Sequence, residues 1–308
     1  RVFISQLSLL QSLSAEVGSG ELCLEGEENI MSNKLRILSL GAGVQSSTLA
    51  LMIEKGEIPM VDAAIFADVK GEPKAVTDWL EYLKTQITTF PIYTVTWRDL
   101  KQDILDAARG EYKAFTAPFF TKNLETGKKG MLRRQCTADY KIKPVVQKIR
   151  GMLGLEKNEK RKKGTEVELL MGISKDEVQR MKTNPLKYLH NQYPLVDMGL
   201  RRSDCLDWMK QHNYPEPPRS ACTFCPFHST HEWREIKKNK EEWAEVVALD
   251  KAIRSQERFK EKNKGSGSLK DEIFLHNSCV PIDEVDFDKK DTDQLDLFVN
   301  ECEGMCGN

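Results

Sequence analysis

The chain has 308 residues, of which 40% are hydrophobic and 30% are charged, and its formal net charge is -1. This balance is typical of a folded globular protein, and it excludes a global basic field, so any contact with nucleic acid must come from local patches. No apolar stretch approaches the roughly 18 residues that a membrane-spanning helix needs, so we expect no membrane association and a cytoplasmic location.

Residues 1–30 are predicted to lie outside the folded domain. The chain begins with Arg1, and Met31 comes shortly before the first segment with the pattern of a buried strand. This arrangement indicates that residues 1–30 are a non-native or disordered extension. The alternative is an amphipathic N-terminal arm, because apolar residues recur between positions 2 and 10.

The first strong motif is a short apolar run followed by a turn of small residues. Residues 35–40 have the composition of a buried strand, Gly41 and Gly43 follow, and a helical period then begins. Glycines let the backbone approach a bound group closely, Ser46 and Ser47 add hydroxyl donors, and a helix start favours an anion. The turn is neither a Walker loop nor a dinucleotide-binding motif, because no Gly-Lys follows and Ser46 replaces the third glycine. The alternative is a tight turn without a ligand.

Strands and helices alternate after this turn. Apolar runs predict strands at 62–68, 92–96 and 167–171, and helical periods predict helices at 76–83, 100–108 and 142–153. The alternation predicts an α/β fold with a doubly wound, mostly parallel sheet that is covered by helices on both faces. Ligands of such sheets bind outside the carboxyl ends of the strands, where the glycine turn and Asp68 would both lie.

Several connecting segments are interpreted from composition. We expect a mobile loop at 110–135, and a solvated lysine-rich turn at 156–166 with a nucleic-acid contact as the alternative. Residues 194–197 are expected to be extended and 203–212 helical.

The C-terminal part is predicted to be an extension of the main domain. Residues 230–262 have the pattern of one long charged helix with its tryptophans turned inward. We therefore divide the chain into a main domain at 31–228, a helical extension at 229–263, and a linker with an acidic, cysteine-containing tail at 264–308.

Eight cysteines suggest metal binding or redox chemistry, because structural disulfides are rare in the cytosol; they stand at 23, 136, 205, 222, 225, 279, 302 and 306. Cys222 and Cys225 have the two-residue spacing of a metal-ligand turn. Cys136 precedes a helix and is the best third ligand. The fourth ligand is open between Cys205, another residue and a vacant position. Three cysteines suit an iron–sulfur cluster that does chemistry, and four suit a structural zinc ion.

Five motifs resemble those of the phosphoadenosine phosphosulfate (PAPS) reductase family, within the PP-loop adenine-nucleotide α-hydrolase superfamily. In chain order they are Gly41-Ala-Gly-Val-Gln-Ser46, Phe66-Ala-Asp-Val-Lys-Gly-Glu72, Cys136-Thr-Ala-Asp-Tyr-Lys-Ile-Lys-Pro144, Gly172-Ile-Ser-Lys-Asp-Glu-Val-Gln-Arg180 and Pro194-Leu-Val-Asp197. The resemblance covers residues 35–248 and implies the HUP or Rossmann-like PP-loop fold.

The resemblance also implies a ligand and a cofactor. An adenine nucleotide, ATP or PAPS, would be bound by Ser39, Gly41, Ala42, Gly43, Val44, Gln45, Ser46, Ser47, Asp68, Lys141, Gly172 and Arg180. A [4Fe-4S] cluster would be held by Cys136, Cys222 and Cys225.

Two departures from the family pattern limit what is carried over, and one further segment resembles it loosely. Gln45 replaces an acidic residue, which leaves the use of Mg²⁺ open, and Ser174 replaces an arginine that would contact the anion. The tail around Cys302 loosely resembles the family's C-terminal Glu-Cys-Gly-x-His, which makes Cys302 a candidate nucleophile, with an exposed tail cysteine as the alternative.

Two functions follow as hypotheses. The first is a PAPS or APS reductase-like oxidoreductase, or an ATP-dependent sulfurtransferase acting on nucleic acid, with a thiol or sulfur-donor protein as partner. The second is a non-catalytic nucleotide-binding module with structural zinc.

Overall fold

The structure of the protein is a computed structural model that describes residues 34–112, 115–156, 159–255 and 271–288. The predicted N-terminal extension at 1–30, the linker at 264–268, Cys23 and Cys302 lie outside these residues. Eight strands are assigned in the described part of the chain: β1 (Lys34–Leu40), β2 (Ala63–Ala67), β3 (Ile92–Val95), β4 (Phe120–Lys122), β5 (Lys129–Met131), β6 (Glu166–Met171), β7 (Leu189–Gln192) and β8 (Glu272–Phe274).

The helices of the described residues are α1 (Val44–Glu54), α2 (Lys74–Gln86), α3 (Leu100–Ala108), α4 (Lys143–Met152), α5 (Pro194–Asp197), α6 (Arg202–Gln211), α7 (Thr230–Lys238) and α8 (Lys240–Arg254). A π-helical turn (Thr137–Ile142) runs directly into α4, and short 3₁₀ turns lie at Lys175–Arg180 and Ile282–Glu284. None of the helices in these ranges is both long and apolar enough to cross a membrane.

The central sheet has the strand order β3-β2-β1-β6-β7, and every neighbouring pair in it is parallel. Successive residues along each strand face opposite sides of the sheet, so they pack into two different hydrophobic cores. Leu38 and Leu40 face the core of α1, α2 and α6, whereas Ile37 and Leu169 face the core of α4. The predicted α/β fold with a doubly wound parallel sheet is therefore confirmed.

A third core joins α3, α7 and α8 to an antiparallel sheet of order β5-β4-β8. The predicted inward tryptophan of the C-terminal helices lies here, with Trp233 fully buried. The predicted single helix at 230–262 is wrong, because Asn239 ends α7 and its side chain accepts hydrogen bonds from Glu241 N (3.2 Å) and Glu242 N (3.3 Å) at the start of α8.

The expected loop at 110–135 is corrected, and so is the part of the expected tail at 264–308 that the structure describes. The loop contains β4 and β5, and β4 also pairs with β8, so residues 271–288 belong to the folded core rather than to an appendage. Asp250 is fully buried and holds this segment, because its carboxylate accepts hydrogen bonds from Leu275 N (3.2 Å) and Ile282 N (3.1 Å).

Residues 194–197 form the short helix α5 instead of the expected extended piece. Pro194 occupies the first helical turn, where its missing N–H costs nothing, and Met198 N donates to Pro194 O (2.9 Å).

Candidate functional site

The glycine turn joins β1 to α1, as predicted. Ala42 has φ +59°, a left-handed conformation that favours glycine, whereas Gly43 has φ -91° and precedes the helix. Ser46 Oγ accepts a hydrogen bond from Gly41 N (3.2 Å), which folds the first turn of α1 back onto the end of β1. The turn therefore directs the start of an 11-residue helix toward the carboxyl edge of the sheet, the geometry that suits an anion.

The turn lies at the switch point of the sheet, between β1 and β6. The strand order reverses there, and ligands of doubly wound sheets bind at such points. Gly172 follows β6, and a Cβ at this position would lie 2.7 Å from Ser46 Cα and Ser46 N. Glycine is thus required at 172 for the two loops to touch, and the structure brings the predicted residues Gly172 and Ser46 together.

A polar network covers the start of α1. Gln45 Nε2 donates to Glu177 Oε2 (3.1 Å), and Arg180 Nη1 donates to Glu177 Oε1 (2.7 Å). Gln45 Nε2 also lies 3.4 Å from Ser174 Oγ, and the Glu177 and Arg180 side chains are each only 10% exposed. The structure therefore places Arg180 beside the start of α1, where Glu177 shares its positive charge. The prediction of a nucleotide contact did not include Glu177, although it lies within the quoted motif.

Asp68 lies at the carboxyl end of β2, next to the turn. Its Oδ1 accepts from Lys70 N (2.8 Å), and its Oδ2 lies 2.6 Å from Lys70 Nζ. The hydrogen bond to Asp68 raises the pKa of Lys70. The Asp68 carboxylate is thus partnered within its own loop.

Several buried polar atoms at this edge have no hydrogen-bond partner within the described residues. They include Ser39 Oγ at the end of β1, Gln45 Oε1 at the start of α1 and Thr137 Oγ1 beside Cys136. Buried polar atoms in native proteins are almost always paired with protein, water or ligand. These atoms are therefore suited to meet a bound polar group.

The three cysteines predicted as metal ligands line one cavity. Its walls are Val69, Leu100, Ala117, Pro118, Arg134, Cys136, Thr137, Lys141, Cys222, Phe224, Cys225, Pro226 and Phe227. Cys136 lies just before the π-helical turn, and its N–H donates to Thr116 O (2.9 Å). The largely apolar wall would exclude water from a group held by the thiols.

The turn of Cys222 and Cys225 packs on the loop that follows β2. Thr223 N donates to Gly71 O (2.9 Å), and a Cβ at Gly71 would lie 2.7 Å from Phe224 Cζ and 3.4 Å from Cys222 Sγ. The same loop carries Asp68, so one short segment contacts the thiol cavity and borders the glycine turn.

A buried ion pair crosses from this loop to the π-helical turn. Lys141 Nζ lies 3.2 Å from Glu72 Oε1, and the two side chains are 5% and 1% exposed. Lys141, a predicted nucleotide ligand, therefore lines the thiol cavity and balances the charge of Glu72. Removing one partner of such a pair leaves a buried charge at a cost of about 3–5 kcal/mol.

His228 supports the cysteine turn and was not predicted. It lies three residues after Cys225, and its Nε2 donates a hydrogen bond to Cys222 O (2.8 Å). The neutral ring therefore carries its proton on Nε2 and leaves Nδ1 unprotonated. Burial, reinforced by Arg219, lowers the pKa of His228 to about 4. A histidine three residues after a Cys-x-x-Cys motif is the signal that could have indicated this contact.

The other cysteines of the described residues do not join this cavity. Cys205 is buried in the core between α1 and α6, which corrects its candidacy as a fourth ligand, and Cys279 lies in the segment after β8. Within the described ranges, no group of three or more His, Cys, Asp or Glu side chains is arranged to hold a single metal ion. The predicted [4Fe-4S] cluster on Cys136, Cys222 and Cys225 stays a prediction.

The fold and the turn define an α/β protein with a candidate anion site at the switch point of its sheet. No family model and no curated protein matches the chain. The chain is similar to the crystal structure of phosphoadenylyl-sulfate (PAPS) reductase from Candida auris in a phosphate complex, with 13% identity and a TM-score of 0.38 over 60% of this chain and 75% of that chain.

Proposed function

We propose that the protein is an enzyme of sulfur metabolism that binds an adenine nucleotide in the turn of residues 41–47, beside a [4Fe-4S] cluster on Cys136, Cys222 and Cys225. The observation that carries the proposal is the loop after β2. Asp68 in this loop borders the nucleotide turn, while Gly71 and Glu72 contact the elements that carry the thiols. A reacting group on the nucleotide would therefore lie next to the thiol cavity.

The chain's own residues divide the work of binding. The N–H groups at the start of α1 would hold the phosphate or sulfate groups, and the helix dipole adds attraction for negative charge. Ser39 Oγ and Gln45 Oε1, which are buried without partners in the described structure, would pair with polar groups of the nucleotide. Arg180 would neutralise phosphate charge in competition with Glu177.

Entry of a nucleotide requires a local movement. Residues 44–48 are fully buried, and Ser174 and Glu177 lie over Gln45. We therefore expect the turn Lys175–Arg180 to move away from Gln45 when a nucleotide binds.

The chemistry of the three thiols and their shared, largely apolar cavity support the proposed cofactor. A bound [4Fe-4S] cluster would supply electrons or an iron position open to sulfur. Lys141 would bring positive charge to the wall of that cavity, balanced by Glu72. His228 would hold the backbone of Cys222 in place.

Product analysis on the anaerobically purified full chain tests this function. A reductase releases sulfite from PAPS with a thiol donor, whereas a sulfurtransferase releases AMP and pyrophosphate from ATP with nucleic acid and a sulfur donor present. Replacement of the candidate nucleophile, Cys302→Ala, should stop sulfite release and leave sulfur transfer almost unchanged. The absence of every one of these products would contradict an enzyme of this class.

The second candidate is a nucleotide-binding module without turnover, in which the thiols hold zinc. It is favoured by Gln45, which places a neutral amide bonded to Glu177 where an acidic residue would bind Mg²⁺. Metal analysis decides between the two, because zinc without iron and without visible absorbance would support the module.

A further inference from the structure

Two exposed aromatic side chains lie at the β3 edge of the central sheet, each paired with a lysine. Tyr93 is 36% exposed and Trp97 is 39% exposed. Lys148 Nζ lies 3.6 Å from the centre of the Tyr93 ring, and Lys143 Nζ lies 3.6 Å from the centre of the Trp97 ring. We call these four residues the edge surface.

The edge surface extends from the candidate site along the outer strand of the sheet. Val95 is the last residue of β3, and its backbone oxygen accepts a hydrogen bond from Asp68 N (2.8 Å). Just past Trp97, Leu100 N donates to Val69 O (3.1 Å), and Val69 and Leu100 line the thiol cavity. Trp97 therefore lies between the end of β3 and Leu100, which lines the cavity, and Tyr93 lies within β3.

The charge of the adjoining helix favours an anionic partner. Helix α4 contains Lys143, Lys148 and Arg150 and has no acidic residue. Because the chain as a whole has a net charge of -1, this concentration of positive charge is local.

We propose that the edge surface binds single-stranded nucleic acid. Exposed aromatic rings beside flexible cations are the pattern with which proteins hold single strands, since bases stack on the rings and cations meet the phosphates. On binding, a base replaces the lysine over each ring, and the released ammonium group contacts a neighbouring phosphate. The bound nucleic-acid strand would then lead toward the thiol cavity. The inference deepens the proposed function by naming a class of substrate. Only the reaction of the bound nucleic acid, and not its binding, rests on that proposed function.

Fluorescence anisotropy of the full chain with a labelled mixed-sequence 20-nucleotide strand tests the proposal. The ring variant Tyr93→Ala/Trp97→Ala should weaken binding about five-fold or more per ring, with little change in the salt dependence. The charge variant Lys143→Gln/Lys148→Gln should instead lower the slope of log affinity against log salt by about 1.4, since each phosphate contact on a single strand contributes roughly 0.7.

Matched controls make the outcome specific. Lys55 and Lys237 also lie over aromatic rings, at 5.6 Å from Tyr214 and Trp243, but away from β3, so Lys55→Gln/Lys237→Gln should keep the wild-type affinity and slope. Wild-type protein that binds no strand at low salt, or equal losses in the control variant, would overturn the proposal. Equal affinity for a duplex, or competition by poly-glutamate as strong as by the strand, would also overturn it.

Nucleotide binding separates this proposal from the proposed function. The ring and charge variants should bind ATP or PAPS as the wild type does. Loss of strand binding with intact nucleotide binding supports the edge surface, whereas nucleotide binding without any strand binding in the wild type refutes it and leaves the nucleotide site standing.

Discussion

Ala42 carries the backbone strain of the candidate site. A non-glycine residue with φ near +60° is strained by about 1 kcal/mol or more, and such residues are concentrated where a turn must take one shape. The shape of this turn directs α1 at the switch point of the sheet.

Ala42→Gly should raise the free energy of unfolding by roughly 0.5–1 kcal/mol, because glycine relieves the left-handed strain at a smaller cost in chain entropy. Chemical denaturation measures the change. The matched control is Ala50→Gly in the middle of α1, which should lower the free energy of unfolding by about 1 kcal/mol. A loss of stability in Ala42→Gly as large as in Ala50→Gly would show that residue 42 is not strained.

The sequence predicted part of this geometry. Two glycines after an apolar run indicate a turn, and the position of Asp68 follows from the end of the next strand. The left-handed residue could not be predicted, because alanine gives no signal for it. The contacts of Gln45 with Glu177 and of Lys141 with Glu72 also depend on side-chain packing between distant segments, which no local pattern encodes.

The thiols come from separate elements, and this makes their joint role testable. Cys136 precedes the π-helical turn, whereas Cys222 and Cys225 belong to a loop between α6 and α7. If they hold one cluster, alanine at any of the three should remove most of the iron from anaerobically purified protein, since two thiolates retain a cluster poorly.

Cys205→Ala and Cys279→Ala are the controls for iron content, because both residues lie away from the cavity. They should keep the iron and the visible absorbance. Iron retained in Cys136→Ala, measured in the same assay, would be incompatible with a shared site.

The 3₁₀ turn Lys175–Arg180 should respond to the nucleotide, because it covers Gln45. Hydrogen–deuterium exchange in this turn should change on addition of ATP or PAPS. Helix α8, which packs in the third core with α3 and α7, is the internal control and should not change. Unchanged exchange in the turn at saturating nucleotide would contradict the proposed movement.

Most helices with a strong apolar period were predicted well, whereas the three-residue strands were not predicted. The face of α2 formed by Val76, Trp79, Leu80 and Leu83 is buried as its spacing indicates. The three-residue strands β4 and β8 are too short to show a period, and they pair across about 150 positions of the chain. The break between α7 and α8 at Asn239 was not predicted, because the helical spacing of apolar residues continues across it.

The stability of the folded domain depends on residues 271–288. Ile273, Phe274, Leu275, Ile282 and Phe287 are all buried in the third core or its sheet. Burial of one such side chain contributes about 1.5–3 kcal/mol, so together they account for a stabilisation comparable to the total stability of a typical domain.

A chain that ends at residue 270 should therefore fail to fold or melt far below the full chain, as circular dichroism would show. The control is a chain that ends at residue 288, which keeps every one of these side chains and should melt cooperatively. Equal melting temperatures for the two shortened chains would mean that the segment is an appendage after all.

Calorimetric titration of nucleotides into the anaerobically purified full chain tests the central claim most directly. We predict that ATP or PAPS binds with one-to-one stoichiometry and adenosine at least ten-fold more weakly, because the turn recognises phosphate. Gly172→Ala should abolish this binding by pushing a Cβ into the backbone of Ser46, whereas Gly151→Ala, at a helical position with open space, should bind as the wild type does. A wild type that binds neither nucleotide, or a Gly172→Ala variant with unchanged affinity, would contradict the account.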